Sequence, residues 1–203
     1  ESLEGAAKVL AILKAGAPAD SLAEGEEGVL VLDETPFYAE SGGQAGDAGA
    51  VENGDGLFLV GQTSKTAGGV FLHSGVMQKG LLCTGDTVTA KVDRIGRAAT
   101  MRNHTAAHLL QAALRRVLGD HVEQAGQLVT SSRMRFDFTH FSALTGDELR
   151  KVEGLVNLWI MEGLQTMVRE MPIEEARKLG AMALFGEKYG DIVRVVSVGN
   201  VSM

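Results

Sequence analysis

The chain changes its period near Asp93, and that change sets what it can fold into. Before it, short apolar runs are separated by glycines: Gly28-Val29-Leu30-Val31-Leu32-Asp33, Leu57-Phe58-Leu59-Val60, Gly69-Val70-Phe71-Leu72 and Thr87-Val88-Thr89-Ala90-Lys91-Val92-Asp93. The last alternates with period two, and several short strands punctuated by turn residues predict a small antiparallel sheet or barrel. After Asp93, the stretch from Met101 to about Leu118 is rich in Ala, Leu and Arg and has few helix breakers, which predicts an α-helix. The domain boundary therefore falls near Asp93, between a region 25–93 and a region 94–203. Ahead of both, Leu3, Ala7, Leu10 and Leu13 stand at helical spacing before the Gly16 to Pro18 break, so residues 1–24 are expected to hold a short connecting helix.

On the predicted central helix His104 and His108 share a face with Gln111 and Arg115, while Leu110, Ala113, Leu114 and Val117 fall roughly opposite. Imidazoles at i and i+4 have Cβ atoms about 5–6 Å apart, close enough to reach one metal ion, and neutral imidazole nitrogen suits zinc. A zinc centre takes three or four ligands, so the pair alone is incomplete. It also reads as one buried, hydrogen-bonded histidine beside a solvated one. His121 and His140 are further ligand candidates by residue type only.

The segment Thr35-Pro36-Phe37-Tyr38-Ala39-Glu40-Ser41-Gly42-Gly43-Gln44-Ala45-Gly46-Asp47 is too glycine-rich for regular structure. Glycines let a backbone approach a ligand and turn its N–H groups toward an anion. The segment matches neither the Walker loop nor the dinucleotide fingerprint, and its spacing favours tight turns between strands. Further on, His121 to Phe138 read as extended, and Thr145-Gly146-Asp147-Glu148 has the form of a capping box. The helix that follows is expected to run to about Glu170 and to bury Leu149, Val152, Val156, Trp159, Ile160, Gly163 and Met167. Past Pro172 come a short helix, Glu174 to Leu179, and a strand, Ile192 to Val198. The ending at Asn200-Val201-Ser202-Met203 has no closing turn or cap and reads as a cut.

No apolar run approaches the roughly 20 residues that span a bilayer, and the N-terminus is acidic where a signal peptide would be basic. Cys83 is the single cysteine, which excludes an internal disulfide framework and suits a reducing compartment. A soluble, cytoplasmic protein is expected. The net charge of −7 argues against a polyanionic partner until the chain is divided. Residues 1–90 carry 4 basic and 13 acidic side chains, whereas 91–203 carry 15 basic and 13 acidic. A polyanion would therefore meet the second part, where Arg94, Arg97, Arg102, Arg115, Arg116, Arg133 and Arg135 fall, unless these form ordinary surface pairs.

Taken together, Thr35 to Asp47, Arg102 to Leu110, Arg135-Phe136-Asp137-Phe138 and Gly180 to Tyr189 stand in an order and spacing that resemble the editing region of bacterial alanyl-tRNA synthetases. Freestanding alanyl-tRNA editing proteins share part of this pattern. The resemblance implies an α+β fold, with a small antiparallel β-barrel-like domain followed by an α+β editing core. It implies hydrolysis of seryl- and glycyl-tRNA(Ala), with tRNA(Ala) as partner and neither DNA nor a membrane. By the same resemblance His104 and His108 are zinc ligands, completed by a Cys-x-x-x-His pair about three residues past Met203, and Gln124 takes the place of a glutamine associated with editing. Arg102, Thr105, Gly42, Gly43 and Gln44 become candidates for substrate binding, and ATP and magnesium belong to a ligase site outside this chain. The family commonly has Thr before the second histidine, where this chain has Ala107.

Overall fold

The computed structural model describes residues 2–179 and 190–201. The matching segment Gly180 to Tyr189 lies outside the described residues. Two compact units are present: one comprises residues up to Thr100 together with Thr130–Ser132, the other Met101–Val129 and residues from Arg133 onward.

The first unit holds β1 (Glu4–Lys14), β2 (Ala17–Ala19), β3 (Ser21–Ala23), β4 (Glu27–Leu32), β5 (Gly49–Glu52), β6 (Gly56–Lys65), β7 (Phe71–Cys83) and β8 (Thr87–Val92). All pairings are antiparallel. Six strands follow one another around a closed barrel in the order β1-β4-β7-β6-β5-β8, and β8 pairs back to β1. β2 extends β1, and β3 adds to β7. Inward positions fill the centre with Val9, Ile12, Leu30, Val51, Phe58, Met77, Leu82 and Val88, all essentially without solvent exposure. Closure leaves the six-strand cycle without an unpaired edge.

The expected helix over residues 1–16 is a barrel strand. Ala7 and Val9 point inward with period two, a bulge between Val9 and Ala11 shifts the register, and Ile12 becomes the next inward residue. That extra residue mimics a helical interval, while Leu10, one of the residues at helical spacing, is 53% exposed. Pairing to both β4 and β8 outweighs whatever local helical preference the segment has. The Gly16 to Pro18 break is a two-residue hairpin, with Ala15 and Gly16 both at positive φ (51° and 79°).

Helix α1 (Arg94–Leu118) starts directly after the barrel and continues into the second unit. That unit also contains the hairpin β9 (Gln124–Val129) and β10 (Met134–Phe138), helix α2 (Gly146–Met161), strand β11 (Thr166–Pro172), the short α3 (Ile173–Lys178) and β12 (Ile192–Val198), which pairs with β11. Leu109, Ala113, Leu114, Val122, Val152, Trp159 and Val198 form its core. The Thr145–Glu148 capping box is present in both directions. Trp159 is buried as expected, but α2 stops at Met161, well short of Glu170. Gly163 takes φ +63° and its N–H bonds the Ile160 carbonyl, the αL cap that ends a helix. Met167 then lies on strand β11 at 47% exposure, and Leu149 and Ile160 are likewise exposed. No helix among the described residues is long and apolar enough to cross a membrane.

Candidate functional site

Asp93 starts the helix that carries the histidines. Its carboxylate accepts from the Ile95 N–H at 3.0 Å and its carbonyl from Arg97 N–H at 2.9 Å, so the residue after the last barrel strand is the N-cap. Arg115 and Arg116 in the last turn complement the helix dipole. Ala107, Leu109, Gln111, Ala113 and Leu114 are all buried. Of the stripe predicted to carry the histidines, Gln111 is buried, while His104, His108 and Arg115 are half-buried. On it the rings of His104 and His108 lie stacked, with centroids 5.2 Å apart and planes 4° from parallel. Burial pushes the His108 imidazole down to about 4 from an ordinary 6.5, and the neighbouring His104 acts in the same direction. At neutral pH His108 is uncharged, the form that ligates metal.

The pair fits zinc in kind and falls short in number, because no group of three or more His, Cys, Asp or Glu side chains among the described residues could hold a metal ion. His121 and His140 do not add to it. They hydrogen-bond each other, Nε2 to Nδ1 at 2.9 Å, and Phe141 stacks on His121 at 4.5 Å.

The other sequence candidates in this unit are placed as follows. Arg102 is exposed on α1. The Thr105 hydroxyl donates to the Met101 carbonyl at 3.1 Å, so its own helix uses it. Gln124 is half-buried at the start of β9, opposite Phe138. Ala107 is 2% exposed, so a threonine hydroxyl there would sit in an enclosed position.

Gly42, Gly43 and Gln44 belong to the first unit, on the loop joining β4 to β5. Ser41 and Gln44 bond each other's backbones at 3.2 and 2.9 Å around Gly42 (φ +58°) and Gly43 (φ +76°), a turn with left-handed geometry at both central residues. Tyr38 and Asp47 close the neck: Asp47 N–H donates to Tyr38 O at 2.9 Å, and the Asp47 carboxylate accepts from Tyr38 N–H at 2.6 Å. The loop is laid against β6, where Thr63 O accepts from Glu40 N–H and the Thr63 hydroxyl donates to Asp47 O, both at 2.9 Å. A Cβ on Gly46 would stand 1.9 Å from the Thr63 carbonyl oxygen, so that glycine is required by close backbone approach. A cavity of about 570 Å³ adjoins the loop, lined in part by Pro36, Tyr38, Ser41, Lys65 and Phe71.

Two buried polar groups hold this loop, and no spacing in the sequence pointed to either. His73, fully enclosed in the barrel, has Nδ1 3.0 Å from the Leu30 carbonyl, which can only accept; Nδ1 therefore carries the proton and Nε2 accepts from the Thr35 hydroxyl at 2.8 Å. Arg97, expected among the polyanion-facing arginines, is instead 9% exposed and engages Asp47 through Nε at 2.8 and 3.0 Å and through a second, shorter contact from its terminal nitrogen. It also donates to Pro36 O at 3.2 Å. Arg115 pairs with Asp120 and Arg135 with Asp137 at the surface. Half-buried Cys83 is a free thiol.

Residues 1–95 match the family described as tRNA synthetases class II (A). The whole chain is similar to alanine–tRNA ligases: 55% identical over 96% of its length to that of Pseudomonas fluorescens, and 52% identical over 98% to that of Methylobacillus flagellatus. The chain belongs to the alanine–tRNA ligase family. A third relative, the alanine–tRNA ligase of Nitrosomonas europaea, is 52% identical over 99% of the chain. The chain spans 22–23% of the length of these relatives, and so corresponds to a segment of such a ligase.

Proposed function

We propose that this segment is the part of a ligase for alanine and tRNA(Ala) that hydrolyses wrongly formed seryl- and glycyl-tRNA(Ala). The observation that carries the reading is the pair of parallel imidazoles on α1, one held neutral by burial, in a chain of this family. His104 and His108 would hold zinc, with the remaining ligands supplied by a Cys-x-x-x-His pair later in the parent chain. When bound, zinc supplies a Lewis acid that polarises the ester and makes water more acidic.

The chain's own residues supply the surroundings. Burial keeps His108 available as a ligand at working pH, and Gln124 contacts the ester region. Exposed Arg102 neutralises a terminal phosphate of the tRNA, Thr105 borders the site, and the Gly42–Gly43 turn with Gln44 approaches the terminal adenosine. Attachment of alanine with ATP and magnesium belongs to the rest of the ligase, in the cytoplasm. A second reading, a tRNA-binding module without hydrolysis, is favoured for the isolated segment by the incomplete ligand set among the described residues.

The test is hydrolysis of seryl-tRNA(Ala), with added zinc, by this chain and by one extended about twenty residues along the parent gene. Activity of the longer chain alone, abolished by His104→Ala, supports the zinc-dependent reading. Activity in both refutes a requirement for the downstream ligands, and inactivity in both leaves the binding-module reading in possession.

A further inference from the structure

The glycine turn at residues 42–43 is the tip of a loop whose neck is held by one charged pair. Tyr38 and Asp47, nine residues apart, meet backbone to backbone, and a single carboxylate serves both strands of the neck: Asp47 accepts from Tyr38 N–H and from the Arg97 guanidinium. Arg97 reaches the entering strand of the loop as well, at Pro36 O. Both charges are buried, at 9% and 6% exposure, and the guanidinium fork matches the carboxylate as lysine or an amide could not.

A hydrophobic pair of similar volume would stabilise such a position about as well, so stability alone does not account for two desolvated charges here. A fork gripping one carboxylate and one carbonyl fixes the orientation of both strands of the neck, and therefore where the tip points. We propose that Arg97 and Asp47 are positioning residues for substrate: they touch no reacting atom, but set the loop that carries Gly42, Gly43 and Gln44 against the end of the tRNA. This rests on the editing reading above.

The experiment uses the full-length parent ligase with Asp47→Asn and Arg97→Lys, measuring steady-state hydrolysis of seryl-tRNA(Ala), aminoacylation with alanine, and thermal unfolding. Asp47→Asn keeps the shape and removes the charge, while Arg97→Lys keeps the charge and removes the fork. The expected result is a rise in KM for seryl-tRNA(Ala) of about tenfold or more, with kcat within about threefold of the parent and aminoacylation unchanged, as for loss of binding made equally in ground and transition states. A merely structural pair would lower the unfolding temperature without splitting KM from kcat. An unchanged KM in either folded variant overturns the proposal, as does an equal fall of editing and aminoacylation. If a variant fails to fold, Asp47→Glu, which keeps the charge and the acceptor but shifts the carboxylate by one methylene, takes its place and must raise KM with kcat kept, or the proposal fails. The parent and His104→Ala are measured alongside: hydrolysis absent from the parent refutes the editing reading itself, whereas hydrolysis lost in His104→Ala but unaltered in the neck variants refutes only the positioning role.

Discussion

Acid should unfold the second unit through His108. The imidazole protonates at an ordinary 6.5 in the unfolded chain and at about 4 in the folded one, because burial removes the solvent that would stabilise its charge. Above pH 6.5 both states are neutral there and the stability contribution is fully present. As pH falls from 6.5 toward 4 the unfolded state takes up a proton that the folded state refuses, so stability is lost; below 4 both are protonated and the loss levels off. A difference from 6.5 to 4 is an affinity ratio of roughly 300, or about 3 kcal/mol at full effect, which is a large share of a domain's stability. Urea unfolding, followed by fluorescence of the single tryptophan, Trp159, reports on this unit because that side chain lies in its core. In metal-free buffer at pH 7, 6, 5 and 4.5, the parent chain should lose stability faster than His108→Gln as pH drops. Parallel curves for the two chains, or a His108 ring proton titrating near 6.5 by NMR, would refute the burial argument.

Three further outcomes follow from particular contacts. Gly46→Ala sets a methyl 1.9 Å from the Thr63 carbonyl and should lift the loop off β6, lowering barrel stability by about 1–3 kcal/mol; an unchanged thermal midpoint contradicts the close approach. Thr35→Val leaves His73 Nε2 and the Phe37 N–H, which bonds the same hydroxyl at 3.1 Å, without partners, and should cost about 1–3 kcal/mol in denaturant unfolding. In that variant the acid sensitivity of the barrel should stay, since burial alone holds the His73 imidazole below its usual range. Thr145→Ala removes one half of the α2 capping box and should cost about 1 kcal/mol, whereas Thr145→Ser should be nearly silent; equal effects would mean the hydroxyl is not the cap.

Local signals were legible wherever one element carries its own instruction. Period-two alternation at Thr87–Asp93, the helix from Met101 to Leu118, the capping box at Thr145 and the strand at Ile192–Val198 each depend on residues within about one turn or one pleat of each other. The His104–His108 pair was legible for the same reason, since a spacing of four on a helix is itself a statement about distance.

What the sequence could not settle depends on partners far along the chain. Residues 4–14 carry a helical spacing and are a strand, because the barrel closes only when β1 pairs with β4 on one side and β8 on the other. Leu164 to Glu170 continue an apolar helical pattern, yet Gly163 turns the chain and β12 captures the segment. Arg97 reads as a surface cation until the fold brings Asp47, fifty residues earlier, against its guanidinium. By itself the sequence determined the strand-rich first part, the long helix after it, the capped second helix and the two imidazoles available for a metal. The tertiary structure alone decided that the first segment is barrel wall, that His108 is neutral and that the glycine loop is held by a buried ion pair, because pairing, desolvation and charge contact are properties of neighbours in space.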